Sequence, residues 1–284
     1  MLSMLKLSLT ILLLSSTLFA STPENDLKEF LEKKFKNNPK IISLKVDIVD
    51  KNIIKEIEVK DKKNSWYAYV IKVHATVKNN DKKNQTLTQK MIWFSNGTII
   101  TPEFIDMDTG DSLKDDFPSF EDSYYKAENL IYGNKNAKHK VAIFSDPLCP
   151  FCRSFIPKAI KEMKKQPNKF AIYYYHFPLP RLHPSAVELS YAAIAAELQG
   201  KKDVVLNLYK VKVNAHEKDV KKILKAFNKT VGTNITEDDI KSLKVKEQYE
   251  FDQKVAEAVM VAGTPTIFFD GKLDKSKKKY QKVK

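Results

Sequence analysis

The sequence predicts an exported α/β protein of two domains that carries a redox-active thiol pair. Three observations predict it. The first twenty residues have the pattern of an export signal. Residues 41–105 group β-branched and aromatic residues into short runs separated by polar turns. From residue 129 onward strand and helix patterns alternate, and Cys149-Pro150-Phe151-Cys152 stands where the first of those strands gives way to a helix.

Taken in order, the chain of 284 residues opens with a short positive start at Lys6, an apolar block over 7–19, and Ala20-Ser21 as a cleavage site. Leu18, three positions before that site, is bulkier than the small residue usually found there, so an uncleaved N-terminal anchor stands as the alternative. The block is short for a membrane span. Thr22 then reads as an N-cap with Pro23 at the first helical position, and Leu27, Phe30, Leu31 and Phe35 repeat at helical spacing. Runs at 53–59, 66–77 and 87–94 read as strands. Polar clusters at 60–64 and 78–84, and Asn96-Gly97, read as turns. Residues 21–110 therefore make one helix packed on a small antiparallel sheet. Residues 111–128 are charged and proline-interrupted and read as a linker.

In the second domain, 129–284, residues 141–144 are a strand, 149–165 a helix and 170–177 a strand rich in aromatics. Residues 185–198 have helical spacing, and 202–254 are charged and mostly helical, with a break at Gly232-Thr233-Asn234. Residues 266–269 are a strand that ends at an Asp270-Gly271 turn. This is an α/β domain with a helical insertion over about 183–250. The lysine-rich tail from Lys272 looks abbreviated and frayed.

The net charge of +14 comes almost wholly from lysine, since Arg153 and Arg181 are the only arginines. Arginine is the usual reader of bases and phosphates, so nucleic acid is not an expected partner. A solvated basic surface, suited to acidic partners or an anionic membrane face, is the plainer reading.

The two cysteines of the chain are Cys149 and Cys152. An exported chain that uses disulfides as staples normally carries several. A single pair three residues apart ties no distant segments together and points to redox chemistry instead. The start of a helix offers unpaired N–H groups and a partial positive charge, both of which favour a thiolate. Cys149 at the cap is then the attacking thiol, with its sulfur over those N–H groups, and Cys152, one turn on and less exposed, resolves the mixed disulfide. Pro150 suits the first helical position, Phe151 tunes the pair, and Pro157 should kink the helix. Zinc would need two further ligands, and the five histidines show no paired spacing. Covalent haem would want a histidine where Arg153 stands. Neither a metal nor another cofactor is implied. Two inert buried thiols remain the plain alternative.

Thr264-Pro265, just before the last strand, suggests a cis peptide whose Thr264 backbone pairs with an extended substrate segment. His176 and His183 flank the loop after the second strand. Either a tuning role toward Cys149 or ordinary packing and capping fits them. Asp146 near the cysteines would raise a thiol pKa if it pointed inward.

The run Ser145-Asp146-Pro147-Leu148-Cys149-Pro150-Phe151-Cys152, together with Gly263-Thr264-Pro265, resembles the thioredoxin-fold Dsb proteins of the bacterial periplasm. The approach to the cysteines is similar to the DsbC and DsbG isomerase branch. That resemblance implies a thioredoxin-like catalytic domain preceded by a small α+β, cystatin-like dimerisation domain over 21–110. It also implies a V-shaped homodimer, exported clients with cysteines, and a membrane redox partner that recycles the pair. Phe177-Pro178-Leu179, His183-Pro184-Ser185-Ala186 and Gln199-Gly200-Lys201 resemble the DsbA-like oxidase branch instead, in which a helical insert covers the site. The expectation is a periplasmic thiol–disulfide interchange protein that isomerises wrong disulfides. A dimeric oxidase and a chaperone-like client-binding module are the alternatives.

Overall fold

The computed structural model describes residues 22–54, 65–78, 84–166 and 168–283. The expected signal segment, the 60–64 turn and most of the 53–59 and 78–84 readings lie outside those residues. The chain divides into two compact units, one ending at Thr101 and the other beginning at Pro102.

In the first unit, helix α1 (Pro23–Lys36) starts where the Thr22 hydroxyl accepts from Asn25 N at 3.3 Å. Strands β1 (Ile41–Ile53), β2 (Tyr67–Val77), β3 (Gln85–Ser95) and β4 (Ile100–Thr101) form an antiparallel sheet in sequence order. Leu27 and Leu31 of α1 bury against Val46, Tyr69, Ile71 and Trp93, one face of the sheet. The first described strand begins ahead of the run read at 53–59. It runs over 41–53, and Ile41 to Ile53 pair with β2 along its length.

In the second unit the five-stranded sheet has the order β5-β7-β6-β8-β9. Its members are β5 (Leu130–Tyr132), β6 (His139–Ser145), β7 (Phe170–His176), β8 (Thr266–Phe269) and β9 (Lys272–Leu273). The β6 and β7 strands are parallel and joined through helix α2 (Pro150–Lys164); β5, β8 and β9 join antiparallel. This is the strand–helix–strand crossover that the alternating pattern implies. Both central strands are buried along almost their whole length, so they read as continuous apolar runs. Between β7 and β8 stand α3 (Ser185–Leu198), α4 (Val204–Leu208), α5 (Val220–Val231), α6 (Glu237–Lys241) and α7 (Leu243–Ala258). They enclose a core of their own around Leu189, Ile194, Leu208, Phe227 and Val245. Gly232 ends α5 at φ 72°, the left-handed conformation that glycine adopts without steric penalty.

Two expectations change. Residues 111–128 are not a free linker. Phe120 is buried with its ring 5.4 Å from Tyr175 and 5.5 Å from Phe268, and its N–H donates to Gly271 O at 2.8 Å. The charged composition of the segment hid the aromatics that dock it. The tail is not frayed either. Tyr280 is buried in the core beside α2 and its hydroxyl reaches Glu162 at 2.9 Å. Buried Asp274 accepts from Lys277 N and Lys279 N at 2.9 Å each, folding the lysine-rich turn back on itself. Helix α2 continues through Pro157 for two further turns.

Gly133, just after β5, is needed for close approach. At φ 86°, a Cβ there would stand 2.0 Å from Phe170 O, so a side chain has no room while β7 keeps its place.

Candidate active site

The cysteine motif lies at the end of β6, where the strand turns into α2. Cys149 is the N-cap of α2 in extended backbone, and Pro150 opens the helix. Cys149 is 6% exposed and Cys152 is fully enclosed, so only the first sulfur meets solvent. Both are free thiols in this structure. Cys149 Sγ does not accept a capping hydrogen bond from α2. It faces Thr264 O at 3.7 Å, in the turn before β8, across a cis Thr264-Pro265 peptide. The sequence expectation that the sulfur lies over the helix N–H groups is replaced by a thiol turned toward a carbonyl. A neutral S–H is a donor and a carbonyl is its fitting partner. Loss of the proton makes the sulfur an acceptor, for which the start of α2 is the better neighbour.

The loop carrying the motif is held from below by Asp146. Its carboxylate is fully buried. Oδ1 accepts from Leu148 N at 2.7 Å and Cys149 N at 3.2 Å, while Oδ2 accepts from Leu179 N at 2.8 Å and faces His183 Nδ1 at 2.9 Å. Asp146 thus points inward and joins the cysteine turn to the loop after β7. Arg153 adds a second clamp. Its Nε donates to Pro147 O at 2.7 Å and its Nη2 to Val211 O at 2.6 Å, tying the motif to the helical insert. Burial lowers the Arg153 pKa, opposed by the Asp146 carboxylate.

Burial pushes the Cys152 thiol up to about 11, against a hydrogen bond from the Ser145 side chain that favours the thiolate. Phe151, between the two cysteines, is 75% exposed, and Leu182 is 60% exposed on the loop that Asp146 anchors. A cleft of about 440 Å³ between α2, α3 and β5 has Leu130, Ile160, Glu197, Lys201 and Val204 in its wall and neither cysteine. The thiols do not line that cleft.

The structure brings Cys149, Cys152, Pro150, Phe151, Thr264 and Pro265 into one place. It parts the two histidines. His183 binds Asp146, whereas His176 is buried with both ring nitrogens lacking a hydrogen bond, 3.9 Å from Glu197. Sequence reading missed Tyr209, which reaches the motif from the far end of α4, and Asp252, which sits behind β7. Nothing in their local pattern marks either.

Asp252 is fully buried. It accepts from Asn129 Nδ2 at 2.7 Å, His176 N at 2.8 Å and Gln248 Nε2 at 3.1 Å. Burial pushes its carboxyl up to about 7, against the opposing charge of His176 and these hydrogen bonds. Between about pH 4 and 7 the folded protein keeps a proton here that the unfolded chain has lost. Stability from this group is full below the unfolded pKa and is lost as pH rises through about 7. Urea midpoints at pH 5 and pH 8 check this. The native protein should lose more stability over that interval than Asp252→Asn, and equal losses would refute the sign.

A family model described as thioredoxin matches residues 126–284, more than half of the chain. The chain belongs to the thioredoxin family. Among curated relatives, the Na(+)/H(+) antiporter NhaA 1 of Mycolicibacterium gilvum is 30% identical over 149 residues, half of this chain and 23% of that protein. Its namesake from Mycolicibacterium vanbaalenii is 31% identical over 148 residues, again 23% of its length. This thioredoxin-family chain thus spans about a quarter of the length of the curated relatives it matches. Similar solved structures include the thiol–disulfide exchange protein α-DsbA2 of Wolbachia pipientis, at 20% identity and TM-score 0.47 over 58% of this chain and 92% of that one. BdbD of Bacillus subtilis aligns at 18% identity and TM-score 0.44, over 54% and 88%. ScsC of Proteus mirabilis aligns at 22% identity and TM-score 0.41, over 53% and 73%. In this family setting β5 to β9 with α2 are the thioredoxin-like core, and α3 to α7 are an insertion between its central and final strands.

Proposed function

We propose that this thioredoxin-family protein is a thiol–disulfide interchange enzyme acting on exported proteins that contain cysteines, with isomerisation of wrong disulfides as its main task. The observation that carries the reading is the pairing of a reachable Cys149 at a helix start with an enclosed Cys152, directly against Thr264. Cys149 attacks a client disulfide. One client sulfur becomes bonded to Cys149 and the other leaves as a thiol. A client thiol then attacks the mixed disulfide and re-pairs correctly, or Cys152 attacks Cys149 and releases the client reduced. The Thr264 backbone lines up an extended client segment beside the sulfur. Exposed Phe151 and Leu182 suit the apolar surface of a misfolded client, which needs no particular sequence.

The reading places the protein in the periplasm, on the export pattern of residues 1–20, and among the described residues no helix is long and apolar enough to cross a membrane. It makes the first unit a dimerisation domain and requires a membrane partner to return the pair to the dithiol. A second reading, a disulfide-donating oxidase, is favoured by the helical insert over α3 to α7.

Trapping in cells tests the proposal. Cys152→Ala should accumulate mixed disulfides with exported cysteine proteins that collapse on adding reductant, and no adducts should form once Cys149→Ser is added. An adduct-free Cys152→Ala protein would overturn it. A mostly oxidised pair in cells, with no recovery of a scrambled substrate, would favour the oxidase.

A further inference from the structure

We infer that Tyr209 of the helical insert is a positioning residue for the second step of exchange, turning a chain of hydroxyls, Tyr174–Tyr209–Ser145, toward the sulfur of Cys152. The inference rests on the interchange reading above and concerns how the enclosed thiol becomes reactive.

Tyr209 OH donates to Ser145 Oγ at 2.6 Å, and Tyr174 OH lies 3.0 Å from Tyr209 OH. The Ser145 side chain in turn favours the thiolate form of Cys152. Cys152, Tyr174 and Tyr209 pack in one core cluster beneath α2, and Ser145 and Cys152 are both fully enclosed. Three different elements supply the chain: Ser145 ends β6, Tyr174 lies mid-β7, and Tyr209 caps α4. The insert therefore contributes a group to the redox centre from beneath the sulfur.

The need for such a chain follows from burial. In the resolving step Cys152 bonds to Cys149 and the bond from Cys149 to the client breaks. The thiol pair is oxidised, the client sulfur is reduced, and the proton lost by Cys152 ends on the departing client thiol by way of solvent. Only a thiolate attacks, and an apolar enclosure opposes that anion. A buried anion is tolerated where donors meet it. Burial holds the pKa of both tyrosines above the ordinary phenol range, so their hydroxyls keep their protons as Cys152 gives up its own. Each hydroxyl can then donate toward the next, ending at the sulfur, and the chain is polarised as a whole. No carboxylate takes part, because Asp146 is committed to backbone N–H groups and His183.

The test separates capture from release. A client peptide is loaded on Cys149 as a mixed disulfide, and its release is followed from pH 6 to pH 9. Tyr209→Phe should slow release roughly tenfold across that range, the loss expected when a buried hydrogen bond supporting the chain behind the anion is removed. Attack of Cys149 on the same peptide disulfide should keep its native rate. Ser145→Ala should slow release by at least as much. Release at the native rate in Tyr209→Phe would overturn the inference while leaving the interchange function intact. Absence of peptide capture by the unaltered protein would overturn that function instead. A measurement without substitutions decides the matter if the variants do not fold. With carbon-13 at cysteine Cβ and tyrosine Cζ, the Tyr209 signal should move with the Cys152 titration. A Tyr209 signal that stays flat through it would also overturn the inference.

Discussion

Serine in place of Cys149 reduces reaction with glutathione disulfide to the uncatalysed background. The reason is access. Cys149 is 6% exposed and Cys152 is fully enclosed, so the remaining thiol of the variant has no path to an oxidant while the fold is intact. Its pKa, pushed up to about 11, also leaves little thiolate at neutral pH. Stability changes little, because the serine hydroxyl is nearly isosteric and can donate to the Thr264 carbonyl that the thiol faces. The check is mass spectrometry of the glutathione adduct over time, alongside a urea melt. Rapid adduct formation in Cys149→Ser, with loss of it in Cys152→Ser, would reverse the assigned order of the two sulfurs.

Alanine in place of Asp146 unfolds the site and weakens the whole second unit by roughly 3–5 kcal/mol, the size seen when a buried charged partner is removed. The carboxylate, itself fully buried, accepts from three backbone N–H groups and faces one histidine. Alanine strands those donors, and each buried unsatisfied donor costs about 1–3 kcal/mol. The loss falls on both sides of the site, since Leu148 and Cys149 belong to the cysteine turn and Leu179 and His183 to the loop after β7. Denaturant midpoints and hydrogen exchange at Leu148, Cys149 and Leu179 measure it. Exchange of these amides at the native rate in Asp146→Ala would show that the turn holds itself. Asp146→Asn should lie between, because its single acceptor oxygen serves one side of the carboxylate's contacts and its amide opposes a donor on the other.

The site divides its residues between the sheet core and the insert. The thioredoxin-like core places the two sulfurs and Thr264. The insert supplies Val211 as the acceptor for Arg153 and Tyr209 as the hydroxyl between Tyr174 and Ser145. Changes in the insert should thus alter the enclosed thiol before they alter the reachable one.

Local pattern alone fixed the parts of this protein whose physics is local. Short apolar and aromatic runs marked β6, β7 and β8, and period-3.6 spacing marked α3, each within a residue or two, since burial dictates which side chains repeat. The spacing of Cys149 and Cys152 at a helix start, and Thr264-Pro265 before a strand, are likewise short-range signals. Chain-distant contacts decided the rest. Residues 111–128 read as a linker from their charge and proved to dock through Phe120, because one aromatic ring outweighs many solvated acids when a pocket exists to receive it. Asp146, whose direction the sequence left open, points inward and anchors two loops, and Tyr209, 57 positions beyond Cys152 in the chain, packs in the same core cluster and bonds Ser145 of the motif. A sequence states which groups are available; which buried donor meets which acceptor is settled only when packing excludes water and obliges each to find a partner.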